Sequence, residues 1–288
     1  MKQFGIFIYG VVMIKRFLLV LIAGAFFCTP FFIFPVLGNA QQYDKEIQYP
    51  AGDGPFPVII LSHGAGGPSW AYQVFADEFS GQGFATVILD HYSQRGNYGA
   101  KFRNVPQLDE AKAWRERDIS HFLKLLPNYP KIRPDRVVLA GWSAGAGIAL
   151  PFISNPQKLK PPEGINIVAS ILTYPYTAGC YENIKSFSVP VNINYGTLDG
   201  NEGGPLTGHF CWKKKIEKLS KTGITPQFNQ FEGAYHGYDL MFLQHREKRC
   251  RRRTYEDGVG TVCMAFDEEA LEKTKVVNQR FLSEHLKD

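Results

Sequence analysis

The sequence lacks the motifs that mark several large classes of protein. No Cys-x-x-Cys or paired Cys/His spacing occurs among its five cysteines, which disfavours a zinc site. Neither G-x-x-x-x-G-K nor G-x-G-x-x-G occurs, which argues against a nucleotide-phosphate loop. The net charge is only +5, so there is no basic excess of the kind that nucleic-acid binding needs. We therefore expect no metal, no cofactor and no nucleic-acid partner.

The first forty residues contain no aspartate or glutamate. Lys15 and Arg16 precede a long apolar stretch that closes on the small residues Gly38-Asn39-Ala40. A positive segment, an apolar segment and a small-residue cleavage site describe a secretory signal peptide, which we place at residues 1–40. The alternative is an uncleaved membrane anchor, but Pro30 and Pro35 interrupt the apolar run. We expect a periplasmic or secreted protein without a stable membrane span once the signal is cleaved.

Four cysteines remain after that cleavage, and an even number in an exported chain favours disulfide bonds. Three pairings are possible, and we prefer Cys180 with Cys211 and Cys250 with Cys263. The second bond would close a short excursion that carries the basic cluster Arg246–Arg253. We interpret that cluster as a solvated loop, since acidic residues follow it directly.

Strand-like and helix-like stretches alternate along the rest of the chain. The strand-like runs are rich in Val and Ile, and continuous apolar runs are typical of strands buried on both faces of a parallel sheet. They read FPVIILSHG, FATVILDH, RVVLAGWS, INIVASILTYP, VPVNINYGTLD and, more weakly, PQFNQFEGAYH. Helices are predicted at about 70–80, 108–126, 144–154, 209–220 and 267–285. We predict one α/β domain over residues 41–288, with a mostly parallel sheet, helices on both faces and an insertion at about 240–265.

One serine lies between a buried strand and a helix of small residues. The pentapeptide Gly141-Trp142-Ser143-Ala144-Gly145 matches G-x-S-x-G, the nucleophile elbow in which a sharp turn holds the serine out for reaction. A structural alternative is that Ser143 is only a small residue in a tight turn. The strand before it and the helix after it favour the elbow.

A serine hydroxyl needs a base to take its proton and an acid to orient that base. Asp199 follows a predicted strand, and His236 lies in a loop after the next one, in the order serine, acid, histidine that this architecture uses. The ends of parallel strands meet at one edge of a sheet, where ligands bind. The competing candidates are His209 and His245 as base and Asp239 as acid.

The tetrahedral intermediate would also need hydrogen-bond donors for its oxyanion. The glycine-rich turn Leu61–Gly67 ends the first buried strand, and its backbone N–H groups are free to face the site. We predict the backbone N–H groups of Ala144 and Ala65 as the two donors. His63, within this turn, is interpreted as a structural residue.

These motifs, in this order, resemble the dienelactone hydrolase family from about residue 43 to 286. The resemblance rests on YPAGDGPFPVIILSHGAGG, VILDHYSQRG, GWSAGAG, the Asp199 loop and GAYHGYD. It implies the α/β-hydrolase fold and Ser143, Asp199 and His236 as the catalytic triad. The enzymes that name the family use cysteine as the nucleophile, so the serine here favours a more general esterase.

Three further residues are candidates for the substrate pocket. The family resemblance implies that DHYSQRG forms a loop near the site entrance, where Arg95 would meet a substrate carboxylate or form a structural ion pair. Tyr92 and Trp142 would line an acyl pocket or belong to the core. The function expected overall is a serine hydrolase of small-molecule carboxylic esters. The alternatives are a peptidase or amidase on the same fold, or a non-catalytic binding protein on a hydrolase scaffold.

Overall fold

The computed structural model describes residues 46–95, 105–155, 157–176, 183–200, 208–219, 224–255 and 258–286. All of them lie in a compact unit of the chain that runs from Asn39 to Asp288. The predicted signal peptide lies outside the described residues, as does Cys180. None of the described helices is both long enough and apolar enough to span a membrane.

The described elements follow the alternation that the sequence predicts. The strands are β1 (Ile47–Gln48), β2 (Phe56–Ser62), β3 (Ala85–Leu89), β4 (Ile132–Trp142), β5 (Ser154–Asn155), β6 (Ile167–Thr173), β7 (Ser186–Phe187), β8 (Val191–Gly196), β9 (Gln227–Phe231), β10 (Arg249–Tyr255) and β11 (Gly258–Met264). The helices are α1 (Trp70–Gly81), α2 (Val105–Leu125), α3 (Ala144–Ile153), α4 (Gly208–Leu219) and α5 (Glu268–His285). Each predicted helix is present, with its ends within a few residues of the expected positions.

Seven strands form the central sheet in the order β1-β3-β2-β4-β6-β8-β9. All neighbours pair in parallel except β1, which runs antiparallel to β3. Strands β2 and β4 lie in the interior of the sheet and carry long apolar runs. Their residues 58–61 and 137–140 are almost fully buried. Burial on both faces explains why these strands are continuously apolar and do not alternate. The predicted α/β architecture with a mostly parallel sheet is confirmed.

Local signals explain where the helices begin and end. Helix α5 starts after Asp267, whose side chain accepts a hydrogen bond from the backbone N–H of Ala270 at 3.0 Å. Glu268 and Glu269 occupy its first turn, where negative charge stabilises the positive end of the helix dipole. Helix α3 begins directly at the elbow, and its residues 145–153 are all buried. This helix is therefore held on every side, which fixes the elbow that precedes it.

The predicted insertion contains a β-hairpin. Strands β10 and β11 pair antiparallel, and Cys250 lies directly opposite Cys263, with the two residues joined by a disulfide bond. The interpretation of the basic cluster as a loop is wrong for residues 249–253, because pairing with β11 extends them into a strand. Their described side chains, those of Arg249 and Arg251, are nevertheless exposed. The other preferred disulfide lies outside the described residues, and only the backbone of Cys211 is described, within α4.

Candidate active site

The turn between β4 and α3 holds Ser143 in a conformation that L-residues rarely adopt. Its φ is 53° and its ψ is −118°, a strained backbone of the kind that clusters at functional sites. Two glycines make the turn possible by their lack of a side chain. A Cβ on Gly141 would lie 2.4 Å from the carbonyl oxygen of Gly145, and one on Gly145 would lie 2.0 Å from that of Ser62. The pattern G-x-S-x-G is thus a packing requirement here, as the sequence suggests.

The structure brings the three predicted triad side chains together. His236 Nε2 lies 3.0 Å from Ser143 Oγ, and His236 Nδ1 lies 2.9 Å from Asp199 Oδ2. A carboxylate only accepts, so Nδ1 carries the hydrogen and the neutral imidazole accepts the serine proton at Nε2. Asp199 is buried, while Ser143 and His236 are partly exposed. The arrangement can therefore generate a serine nucleophile at a surface that a substrate can reach.

Two interlocked loops position the acid and the base. The N–H of Leu198 donates to the carbonyl of Ala234 at 3.0 Å, which ties the loop after β8 to the loop after β9. Gly196 allows this approach, since a Cβ there would lie 2.2 Å from the same carbonyl oxygen. The N–H of His236 donates to the carbonyl of Cys263 at 3.2 Å, within the hairpin. The disulfide-linked hairpin therefore holds the backbone of the base.

The competing acid, Asp239, lies beneath the triad and does not bond to His236 Nδ1. Its carboxylate accepts hydrogen bonds from Trp142 Nε1, at 2.7 Å, and from the hydroxyl of Tyr174. It is fully buried, and burial raises its pKa from 3.8 to about 6. Of the competing bases, His245 lies in the turn before β10, exposed to solvent. Only the backbone of His209, the other one, is described, within α4.

Tyr174 contacts the base, and sequence reasoning missed it. Its ring packs on the imidazole of His236 with ring centroids 4.5 Å apart, while its hydroxyl is fixed by Asp239. Its φ of 36° is unusual for a tyrosine. The available signal was its position directly after β6, at the same edge of the sheet as the residues that follow β4 and β8. This aromatic contact limits the orientations that the imidazole can take.

The two predicted oxyanion donors lie in the turn after β2, which contains Ala65, and at the start of α3, which begins with Ala144. The N–H groups of Ala65 and Ala144 donate to no acceptor among the described residues, and both residues are partly exposed. Gly64, between β2 and Ala65, packs against the elbow: a Cβ there would lie 3.6 Å from both Ser143 Cβ and the carbonyl oxygen of Trp142. Two free N–H groups that flank the nucleophile match the requirements of an oxyanion hole.

Buried polar residues support this turn from below. His63 is fully buried; its Nδ1–H donates to the carbonyl of Gly64 at 2.8 Å, and its Nε2 accepts from the N–H of His91 at 3.2 Å. Burial lowers the pKa of His63 well below its usual range, so this histidine is neutral and structural, as the sequence suggests. The buried guanidinium of Arg115 donates to the carbonyl of His63.

Arg95 binds an aspartate of helix α2 in this structure. Its guanidinium donates to both carboxylate oxygens of Asp118, at 2.7 and 2.9 Å, and to the carbonyl of His91 at 2.8 Å. Asp118 also accepts from Nδ1 of His91, which is buried; burial lowers the pKa of His91 to about 4 and keeps it neutral. The loop residue Arg95 is therefore part of a structural ion pair, the alternative that the sequence left open.

Trp142 and Tyr92 are both buried. Their exposed fractions are 1% and 2%. The indole of Trp142 donates to Asp239 and packs between Tyr72 and Phe75, with centroids about 5 Å away. The ring of Tyr92 packs edge-on against His63 at 4.8 Å. Both rings are core residues that support the elbow and the oxyanion turn. Within the described ranges, no group of three His, Cys, Asp or Glu side chains could hold a metal.

Comparisons with known proteins match the fold of this chain. The sequence profile of the alpha/beta hydrolase family matches residues 59–193, which include the elbow. Esterase FrsA of Escherichia coli O1:K1 / APEC is 27% identical over 119 residues, 38% of this chain and 25% of that protein. The matched part of the chain thus spans about a quarter of the length of the curated relatives that it matches.

Solved structures resemble the chain over most of its length. Esterase 2 of Thermogutta terrifontis, phosphoramylated by tabun, superposes with a TM-score of 0.57 at 18% identity. The superposition covers 83% of the present chain and 88% of the esterase 2 chain. The dienelactone hydrolase-like promiscuous phosphotriesterase P91, from metagenomic libraries, superposes with a TM-score of 0.58 at 15% identity. This superposition covers 83% of the present chain and 91% of the P91 chain. The sheet order, the elbow, the family profile and these superpositions together show that the chain has the α/β-hydrolase fold.

Proposed function

We propose that the protein is a serine carboxylesterase. Ser143 Oγ attacks the carbonyl carbon of an ester while its proton passes to Nε2 of His236. The same proton then goes to the leaving alcohol, which departs and leaves an acyl group on the serine. Water, activated by His236, attacks this acyl-enzyme, and the acid is released as the serine regains its proton.

The observation that carries the proposal is the unbroken chain Ser143 Oγ–His236–Asp199, with both hydrogen bonds at 3.0 Å or less. Asp199 keeps the hydrogen on Nδ1 and stabilises the imidazolium that forms during attack. In this proposal the N–H groups of Ala65 and Ala144, which have no acceptor among the described residues, donate to the carbonyl oxygen as it becomes negative.

An ester is favoured over an amide by the relatives, whose names describe esterases. Dienelactone itself is not favoured, since the nucleophile is serine and Arg95 is held by Asp118. We also propose that residues 1–40 export the protein to the periplasm or the medium. Amino-terminal sequencing of the protein recovered from the periplasm tests this, and a start at Met1 in the cytoplasmic fraction would overturn it.

Hydrolysis of 4-nitrophenyl esters with acyl chains from acetyl to octanoyl tests the proposed reaction. The wild type is expected to hydrolyse at least one of them, and Ser143→Ala is expected to lose activity by a factor of about 10⁴ or more. Ser283→Ala is the matched control, because Ser283 is on α5 and its hydroxyl only donates to the carbonyl of Arg280. The 4-nitroanilides of the same acids separate an amidase from an esterase. Retained ester hydrolysis by Ser143→Ala would overturn the assignment.

A further inference from the structure

One buried hydroxyl near the nucleophile, that of Tyr72, takes no part in the triad. Tyr72 lies in the first turn of α1, just after the oxyanion turn, and is 4% exposed. Its ring packs edge-on against the indole of Trp142, with centroids 5.2 Å apart, and lies 6.4 Å from the ring of His63. These contacts fix the ring, so the position of its oxygen is fixed as well.

The Tyr72 hydroxyl uses only half of its hydrogen-bonding capacity. Its oxygen accepts a hydrogen bond from the N–H of Gly64 at 2.9 Å. A phenol also carries one hydrogen to donate, and that hydrogen has no acceptor within the described part of the chain. A buried donor without an acceptor destabilises the folded protein, because it has lost its hydrogen bond to water. The hydroxyl of Tyr72 therefore has a hydrogen that is available for a further acceptor.

This unused donor borders the space in which the reaction takes place. The point where a Cβ on Gly64 would lie is 3.2 Å from Tyr72 Oη and 3.6 Å from Ser143 Cβ. The hydroxyl and the nucleophile thus flank the same glycine of the oxyanion turn. In the proposed mechanism the carbonyl oxygen of the ester lies between this turn, which carries the N–H of Ala65, and the start of α3, which carries the N–H of Ala144.

We infer that the Tyr72 hydroxyl donates a third hydrogen bond to the oxyanion, beside the two backbone N–H groups. The inference rests on the proposed esterase function and adds one catalytic residue to it. No proton is transferred from the phenol, since it only donates a hydrogen bond while the carbonyl oxygen is negative. Burial raises the pKa of Tyr72, which keeps the hydroxyl protonated across the working range of the enzyme. The hydrogen bond to Gly64 orients the hydroxyl and the turn together.

The first test is Tyr72→Phe, assayed on the best 4-nitrophenyl ester. A donor that acts on the transition state contributes to kcat and not to KM. We expect kcat to fall by a factor of about 10 to 100, below the 10² to 10³ of a sole side-chain donor because two backbone donors remain. KM should change by less than a factor of about 3. Tyr129→Phe, a buried tyrosine in the turn before β4, is the control and should retain the wild-type kcat.

Tyr72→Phe also removes the acceptor for Gly64, so a second variant separates catalysis from support of the turn. Incorporating 3,5-difluorotyrosine at position 72 makes the phenol a stronger donor and a weaker acceptor. If residue 72 donates to the oxyanion, the difluorotyrosine protein should have a kcat at or above that of the wild type. If residue 72 only supports Gly64, the kcat of this protein should be lower than that of the wild type, as in Tyr72→Phe. This second result would overturn the inference.

The outcomes also separate this inference from the proposed function. A wild type that hydrolyses no ester would overturn the esterase proposal, and the oxyanion role with it. An active wild type whose Tyr72→Phe variant keeps the full kcat would overturn only the oxyanion role. If Tyr72→Phe does not fold, as judged by its melting temperature, the difluorotyrosine protein decides alone.

Discussion

Replacing Asp239 with asparagine should change how the stability of the protein depends on pH. The carboxylate is fully buried and accepts from Trp142 and Tyr174. An asparagine can keep both partners: its oxygen accepts from the indole N–H, and its amide donates to the tyrosine oxygen. The substitution therefore removes a titrating group and little else.

The size and sign of the effect follow from the pKa of Asp239, which burial raises from 3.8 to about 6. The folded state then binds this proton more tightly than the unfolded state. The stability that Asp239 contributes is fully present below pH ~4 and is lost as the pH rises through about 6. A shift of this size corresponds to about 3 kcal/mol in total, of which about 2 kcal/mol is lost between pH 4.5 and pH 7.5.

His91 acts in the opposite direction in the same range. Burial lowers its pKa from 6.5 to about 4, so its contribution is present above pH ~6.5 and is lost as the pH falls towards 4. The wild-type profile alone would therefore partly hide both effects. The informative quantity is the free energy of unfolding of Asp239→Asn minus that of the wild type, in which the His91 contribution cancels.

Urea unfolding followed by tryptophan fluorescence measures this difference at pH 4.5, 5.5, 6.5 and 7.5. We expect the variant to gain about 2 kcal/mol relative to the wild type from the lowest to the highest pH. A difference that stays constant within about 0.5 kcal/mol would show that Asp239 ionises as freely in the folded state as in water. The account of a desolvated carboxylate beneath the triad would then be refuted.

Three further predictions concern the acid, the elbow and the hairpin. Asp199→Asn should fold normally and lose a factor of about 10³ to 10⁴ in kcat, since His236 loses the partner of its Nδ1–H. The kcat of Asp239→Asn should stay within a factor of about 10 of the wild-type value, and the reverse ranking of the two variants would make Asp239 the catalytic acid. Gly145→Ala should destabilise the protein by about 3 kcal/mol or more in urea unfolding, because its Cβ would lie 2.0 Å from a backbone oxygen; Gly81→Ala, with nothing within 4 Å, is the control and should unfold like the wild type. Cys250→Ser opens a loop whose cysteines are 13 residues apart and should cost about 3 kcal/mol, and kcat should fall because the hairpin holds the base; an unchanged kcat would contradict that coupling.

Much of the site can be predicted from the sequence because the elbow imposes a local pattern. Gly141 and Gly145 are required by contacts within a few ångströms of Ser143, so the pentapeptide and its flanking strand and helix carry the information together. Asp199 follows the recognisable apolar strand β8, and His236 follows β9, whose pattern is weaker. Parallel pairing then brings the strand ends to one edge of the sheet.

What could not be predicted depends on contacts between residues far apart in the chain. The pairing of Arg95 with Asp118 requires knowing how α2 packs on the loop after β3, which no local pattern contains. Asp239 is likewise paired with Trp142, which ends β4 and lies far from it in the chain. Strand β10 has few apolar residues and no alternation, so its strand conformation comes from pairing with β11 and not from its own sequence.

The most direct test of the proposed triad is covalent labelling of the nucleophile. The protein is incubated with a fluorophosphonate, and the site of attachment is located by mass spectrometry of the peptides. The account predicts one phosphonyl group per chain, attached to Ser143, and labelling that is slowed by a factor of about 10³ or more in His236→Ala because the base is gone. No adduct, an adduct on another residue, or labelling of His236→Ala at the wild-type rate would contradict it.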